Sequence, residues 1–146
     1  MSERTDLSAP HSAHRPRVMI VDDDAEMRAL LRDALERSGF VVGEHPSGAG
    51  LLPRLEVWAA DAVVLDTMME DGTGPDLLSG ITQRHPRMPV VLVTAFGRSE
   101  IESAALRSGA TYYMDKPFRV GRLVAVLRAA LDQVAQELRS RWDEYG

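Results

Sequence analysis

Short apolar runs at 18–21, 63–65 and 90–93 alternate along this chain with longer stretches of helical period, and each run stops on a polar residue of a particular kind. The first runs into Asp22 and Asp23, the second into Asp66 and the third into Thr94; a fourth run, 111–114, ends just before Lys116. Strand-length runs separated by helical segments are the pattern of a doubly wound α/β sheet, whose parallel strands are buried on both faces. Such sheets bind ligands in the crevice at the C-terminal ends of their strands. Neighbouring strands would therefore gather three carboxylates, a hydroxyl and one ammonium at a single place.

The intervening segments carry their own start and stop signals. A first helix is expected from near Ala25, capped by Asp24, with Met27, Leu30, Leu31, Ala34 and Leu35 at helical spacing and a stop at Gly39. A second strand is expected over 40–44. The next helix is interrupted by Pro46, Gly48, Gly50 and Pro53, so it is expected to be short or to begin late. Residues 70–74 read as a loop, and Pro75 can open a third helix bearing Leu77, Leu78 and Ile81. A fourth helix is expected over about 99–108, closed by Gly109, before a short fifth strand. The last helix begins after Phe118, and Val120, Leu123, Leu127, Leu131, Val134, Leu138 and Trp142 recur at spacings of three and four. Only its first half is needed to cover a sheet. Residues 132–146 thus form an extension with two readings: a stripe made for another helix, a second copy of the chain included, or a frayed and solvated end.

Residues 1–16 contain two Pro, three Ser and two His with few large apolar side chains, which predicts a disordered tail ahead of a domain over 17–131. A chain of 146 residues is long enough for one self-sufficient core. Cysteine is absent, which excludes a disulfide framework and a thiolate metal site. The net charge of −5 argues against direct binding of nucleic acid by this chain, since phosphate backbones require clustered Lys and Arg. No apolar run approaches the roughly 20 residues of a membrane span, and the N-terminus lacks a signal-peptide core. A cytoplasmic protein without membrane contact is the expectation.

The polar strand ends suggest specific chemistry. Two adjacent acids on one strand and a third on its neighbour gather hard oxygen ligands whose mutual repulsion a divalent cation relieves; an open acidic pocket of this kind suits Mg²⁺, which keeps several waters. Asp22, Asp23 and Asp24 alone would read as a solvated turn with a helix cap. Asp66 at the end of a second buried run shifts the balance towards a site. Lys116 is the only lysine among seventeen basic residues, so a flexible point charge is used at this position where arginine serves everywhere else. Pro117 fixes the backbone beside it and can adopt a cis bond. The Thr94 hydroxyl can donate to a phosphoryl oxygen, with the small Ala95 leaving room.

With these residues in view, 17–131 resembles the receiver domain of bacterial response regulators. The matching features are Asp22-Asp23, Asp66 with Met69 and Gly74 downstream, Thr94-Ala95, Tyr113, and Lys116-Pro117-Phe118. The resemblance implies a flavodoxin-like five-stranded parallel sheet of order 2-1-3-4-5 with helices on both faces. It implies that Asp66 is the phosphoacceptor, that Asp23 binds Mg²⁺ directly and Asp22 through water, and that the main-chain carbonyl of Met68 is a further ligand. The phosphoryl donor would be a phosphohistidine of a sensor histidine kinase or a histidine phosphotransfer protein, with the domain assisting its own phosphorylation and dephosphorylation. Thr94, Ala95, Tyr113 and Pro117 would form the switch, repacking the face of the fourth helix, fifth strand and fifth helix to select a downstream protein.

Two departures from the family pattern stand out. Glu70 occupies a position four after Asp66 where receivers often carry proline, adding a negative charge that either aids the cation or repels phosphate. Met68 and Phe96 lie two after Asp66 and Thr94, at positions that in the family tune loss of the phosphoryl group; both are bulky and apolar, which predicts slow hydrolysis. Among other classes, a haloacid-dehalogenase-type phosphatase requires a second aspartate where Met68 stands, and a nucleotide-binding module requires a glycine-rich loop where 22–25 is acidic. The four histidines, at 11, 14, 45 and 85, show no ligand spacing. A degenerate receiver acting only by protein contact, a stand-alone receiver and a piece of a DNA-binding regulator remain as alternatives, because no output domain follows the last helix within the chain.

Overall fold

The computed structural model describes residues 15–67, 69, 74–94 and 109–145. Five strands form one parallel sheet: β1 (Arg17–Val21), β2 (Val41–His45), β3 (Ala62–Asp66), β4 (Val90–Thr94) and β5 (Tyr112–Asp115). Their order is β2-β1-β3-β4-β5, as the resemblance implies. Four described helices are α1 (Ala25–Arg37), α2 (Leu51–Val57), α3 (Gly74–Arg84) and α4 (Val120–Tyr145). The helix expected over 99–108 lies outside the described residues.

The alternation of side chains along each strand divides the core into two layers. Val18, Ile20, Val64, Val91 and Val93 point to one face, where Leu31 and Leu35 of α1 and Leu123 and Leu127 of α4 cover them. Met19, Val21, Val63, Leu65 and Leu92 point to the other, beneath Leu51 and Leu55 of α2 and Leu77, Leu78 and Ile81 of α3. This is why β3 and β4 are apolar without interruption: both faces are covered. The chain leaves β1 for β2 on one side and returns to β3 on the other, so the C-terminal ends of β1 and β3 flank the point where strand order reverses.

Local chemistry explains where the elements start and stop. Asp24 caps α1, its carboxylate accepting from the N–H groups of Glu26 and Met27. At the other end Gly39 takes φ +98°, and the N–H groups of Gly39 and Phe40 donate back to the carbonyls of Glu36 and Leu35. That is a Schellman closure, with buried Phe40 packed in the same cluster as Leu35. It uses the Phe40 N–H, so β2 begins at Val41, one residue later than the pattern suggests. Helix α2 is short and begins late: Gly50 turns at φ +77°, and Pro53 falls in the first turn, where no intrahelical donor is lost. Strand β5 begins at Tyr112 because Thr111 is used beside it, its hydroxyl accepting from the Val90 N–H and its own N–H donating to the Val90 carbonyl.

Helix α4 runs unbroken for 26 residues. Leu123 and Leu127 are fully buried at its root, whereas Leu138 is 42% and Trp142 77% exposed towards its tip. Among the described residues, no helix is long and apolar enough to cross a membrane.

Candidate functional site

Asp22 follows directly on β1, Asp66 closes β3, Thr94 closes β4, and Lys116 follows β5, so the sheet delivers all four to one edge. Carboxylate oxygens of Asp22, Asp23 and Asp66 lie within 4.8 Å of one another. Asp22 and Asp66 are buried and Asp23 is exposed, which leaves the cluster closed behind and open in front. The Lys116 ammonium reaches across the sheet to Asp22 Oδ2 at 3.2 Å and Asp66 Oδ2 at 3.5 Å. Among the described residues, three carboxylates and one ammonium leave two negative charges over, and every donor is a hard oxygen. That donor set fits a divalent cation such as Mg²⁺, whose remaining positions water can fill on the Asp23 side.

Each member is held by local bonding. Asp22 donates its N–H to the His45 carbonyl at 3.2 Å, and its Oδ1 accepts the N–H of Asp24 at 2.9 Å. The Asp22 carbonyl accepts from Arg28 Nη1 at 2.6 Å. Lys116 donates its N–H to the Thr94 carbonyl at 2.7 Å, so the end of β4 fixes the start of the lysine-bearing turn, and the Lys116–Pro117 bond is cis. The Thr67 N–H donates to the Val93 carbonyl at 3.1 Å, tying the residue after Asp66 to β4. Thr94 itself is fully buried.

Two adjacent tyrosines in β5 are distinguished by the pleat. Tyr113 packs against the cluster that includes Met69 and Leu92. Tyr112 faces outwards, where Arg122 donates to its hydroxyl at 2.6 Å and lies over its ring at 5.7 Å. Met68, Glu70, Ala95 and Phe96, all singled out from the sequence, lie outside the described residues. Arg28 and Glu44 were not singled out. The signal was modest: an arginine one turn into the helix after the acid pair, and a glutamate near the end of the adjoining strand.

A family model described as the response regulator receiver domain matches residues 18–128. The chain belongs to this family. The receiver is 37% identical over 128 residues to the transcriptional regulatory protein CpxR of Escherichia coli, covering 88% of this chain and 52% of CpxR. It is 32% identical over 124 residues to the DNA-binding transcriptional regulator NtrC of Escherichia coli, covering 85% of this chain and 26% of NtrC. The chain therefore spans about half the length of one curated relative and about a quarter of the other. Among solved structures, a CheY-like response regulator receiver domain protein from Methanospirillum hungatei superposes with a TM-score of 0.81 at 26% identity, covering 85% of this chain and 99% of that one. NtrX from Brucella abortus gives the same TM-score at 27% identity, with 88% of this chain and 30% of NtrX covered.

Proposed function

We propose that this receiver accepts a phosphoryl group on Asp66 from a phosphohistidine of a sensor histidine kinase or histidine phosphotransfer protein, in the cytoplasm. The observation that carries the reading is the convergence of Lys116 Nζ on both Asp22 and Asp66, with Asp23 completing the acid cluster. The Asp66 carboxylate attacks phosphorus in line; an O–P bond forms as the histidine N–P bond breaks, and the imidazole leaves with the electron pair. Lys116 and the Thr94 hydroxyl hold oxygens of the incoming group, so catalysis is positioning and electrostatics with no base required. Asp22, Asp23, Asp66 and the Met68 carbonyl would hold Mg²⁺, which when bound offsets the charge developing on the phosphoryl oxygens.

Readout would follow as a population shift, Thr94 and Ala95 moving towards the phosphoryl group and Tyr113 with Pro117 repacking beside them, to change the affinity of a downstream protein. A second copy docking along the exposed stripe of α4 fits the same scheme. A second reading, that 1–146 is the receiver of a longer DNA-binding regulator, is favoured by the partial coverage of CpxR and NtrC. Incubation with acetyl phosphate or phosphorylated kinase, followed by intact-protein mass spectrometry, is expected to add one phosphoryl mass to the unaltered chain and none to Asp66→Asn. Persistent labelling of Asp66→Asn would refute the assignment.

A further inference from the structure

Arg28 connects the acid cluster to a line of alternating charges that none of the roles above uses. Its Nη1 donates to the main-chain carbonyl of Asp22 at 2.6 Å, while its Nε donates to Glu44 Oε1 at 3.2 Å. The other Glu44 oxygen accepts from Arg32 Nη1 at 2.7 Å, and Arg32 Nε in turn meets Glu36 Oε2 at 3.2 Å. The Arg28 side chain is only 17% exposed and that of Glu44 28%, so the inner pair is better shielded than an ordinary surface bridge. The hydrogen bond from Arg32 and that from Arg28 hold the Glu44 carboxyl below the usual carboxylate range, keeping it charged opposite them.

We infer that Arg28, anchored by Glu44, is a positioning residue that sets the direction in which Asp22 and Asp23 present their carboxylates. The carbonyl that Arg28 grips belongs to the rigid peptide unit joining these two acids. Fixing its oxygen fixes the plane from which the Asp23 backbone departs. Asp22 is held as well by the His45 carbonyl, the Asp24 N–H and Lys116, and the same peptide unit leads directly into exposed Asp23. The task suits a guanidinium in particular: its planar fork serves the carbonyl and the carboxylate together, which the point charge of a lysine does less well. Glu44 also draws the guanidinium towards β2, away from the carboxylates it would otherwise neutralise. Partners that orient metal-binding groups in this way carry about 10–100-fold of metal affinity.

The inference rests on the divalent-cation reading proposed above, and calorimetric titration of the full chain with MgCl₂ tests the two separately. Arg28→Met is expected to weaken Mg²⁺ binding about tenfold, with amide NMR shifts at Asp22 to Asp24 moving in the cation-free protein. Arg28→Lys, which keeps the charge and loses the fork, is expected to weaken it less but clearly, and Glu44→Gln to weaken it in the same direction. Combining Arg28→Met with Glu44→Gln should add little to Arg28→Met alone, because the two act as a unit. A residue that contributed only its positive charge would behave oppositely, its loss tightening cation binding and its lysine replacement changing nothing. Either result, or equal Mg²⁺ affinity in all variants, would overturn the inference while leaving the cation site standing. Absence of Mg²⁺ binding by the unaltered chain would overturn both.

Discussion

The two ends of the sheet use the same kinds of residue to opposite effect. At the N-terminal end, Asp61 and Arg17 exchange bonds: Arg17 N–H donates to Asp61 Oδ2 at 2.8 Å, and Asp61 N–H donates to the Arg17 carbonyl at 2.7 Å. The Arg17 guanidinium donates to the Ala59 carbonyl at 2.9 Å and stacks 4.2 Å over the Trp58 ring. The Asp61 carboxylate serves a main-chain amide and the Arg17 guanidinium a main-chain carbonyl and a ring, and together they latch β1 to the segment leading into β3. At the C-terminal end, among the described residues, three carboxylates cluster and the Lys116 ammonium meets two of them, Asp22 and Asp66. Charged side chains that bond main chain make a fastener, whereas surplus charge of one sign in a half-open crevice makes a place for something from solution.

That contrast can be broken in several ways. The largest effect is expected from Lys116→Met, which removes the ammonium facing Asp22 and Asp66 and should slow phosphoryl uptake from acetyl phosphate by about 10²-fold, followed as the rate of mass gain. Asp61→Ala at the opposite end should lower stability by about 1–3 kcal/mol in urea unfolding, as the Arg17 amide loses its acceptor, and leave the uptake rate unchanged. A slowed rate in that variant would mean that the two ends are coupled. Asp23→Asn should raise stability without added metal by about 0.5–2 kcal/mol through relief of like-charge repulsion, and abolish the increase in Tm that MgCl₂ gives the unaltered chain. If removing this carboxylate destabilised the fold instead, the surplus-charge description would fail.

The smallest effect concerns pH. The Glu44 carboxyl is held below its ordinary value of 4.5, chiefly by the Arg32 hydrogen bond. A depressed carboxylate stabilises the fold fully above its unfolded value, and the contribution is lost as pH falls through the lower folded value. The Tm difference between the unaltered chain and Glu44→Gln should therefore be constant near neutrality and shrink below about pH 4.5. A difference that grew on acidification would assign the opposite sign to this pair.

Much of this architecture was legible because it depends on one-dimensional signals. Uninterrupted apolar runs identify doubly covered strands, and Asp24, Gly39 and Pro75 mark helix ends by chemistry that acts within a few residues. The placement of Asp22, Asp23, Asp66, Thr94 and Lys116 at one edge was legible because each sits where a run stops, and strand ends of a parallel sheet share one edge. What escaped was of two kinds. The starts of β2 and β5 moved by one residue because Phe40 and Thr111 spend their polar groups on neighbouring closures, which periodicity does not register. The roles of Arg28 and Glu44 escaped because each is an unremarkable charge on an exposed-looking face. Only the packing of α1 beside β2 brings Arg28 onto both the Asp22 carbonyl and Glu44, and a side chain serving main chain leaves no spacing to read. The pair Tyr112 and Tyr113 is intermediate: the pleat dictates that they diverge, but which one faces the core is a property of the register with β4.

The unbroken α4 has a mechanical consequence. Its root is clamped by Leu123 and Leu127, while the 18 residues beyond Leu127, as far as Tyr145, span roughly 27 Å at helical rise. A stiff rod pinned at one end is a lever: rotating its base by about 10° would sweep the tip through roughly 5 Å at that arm length. Small rearrangements beside β5 would thus be magnified where Trp142 stands, without any part of the rod bending.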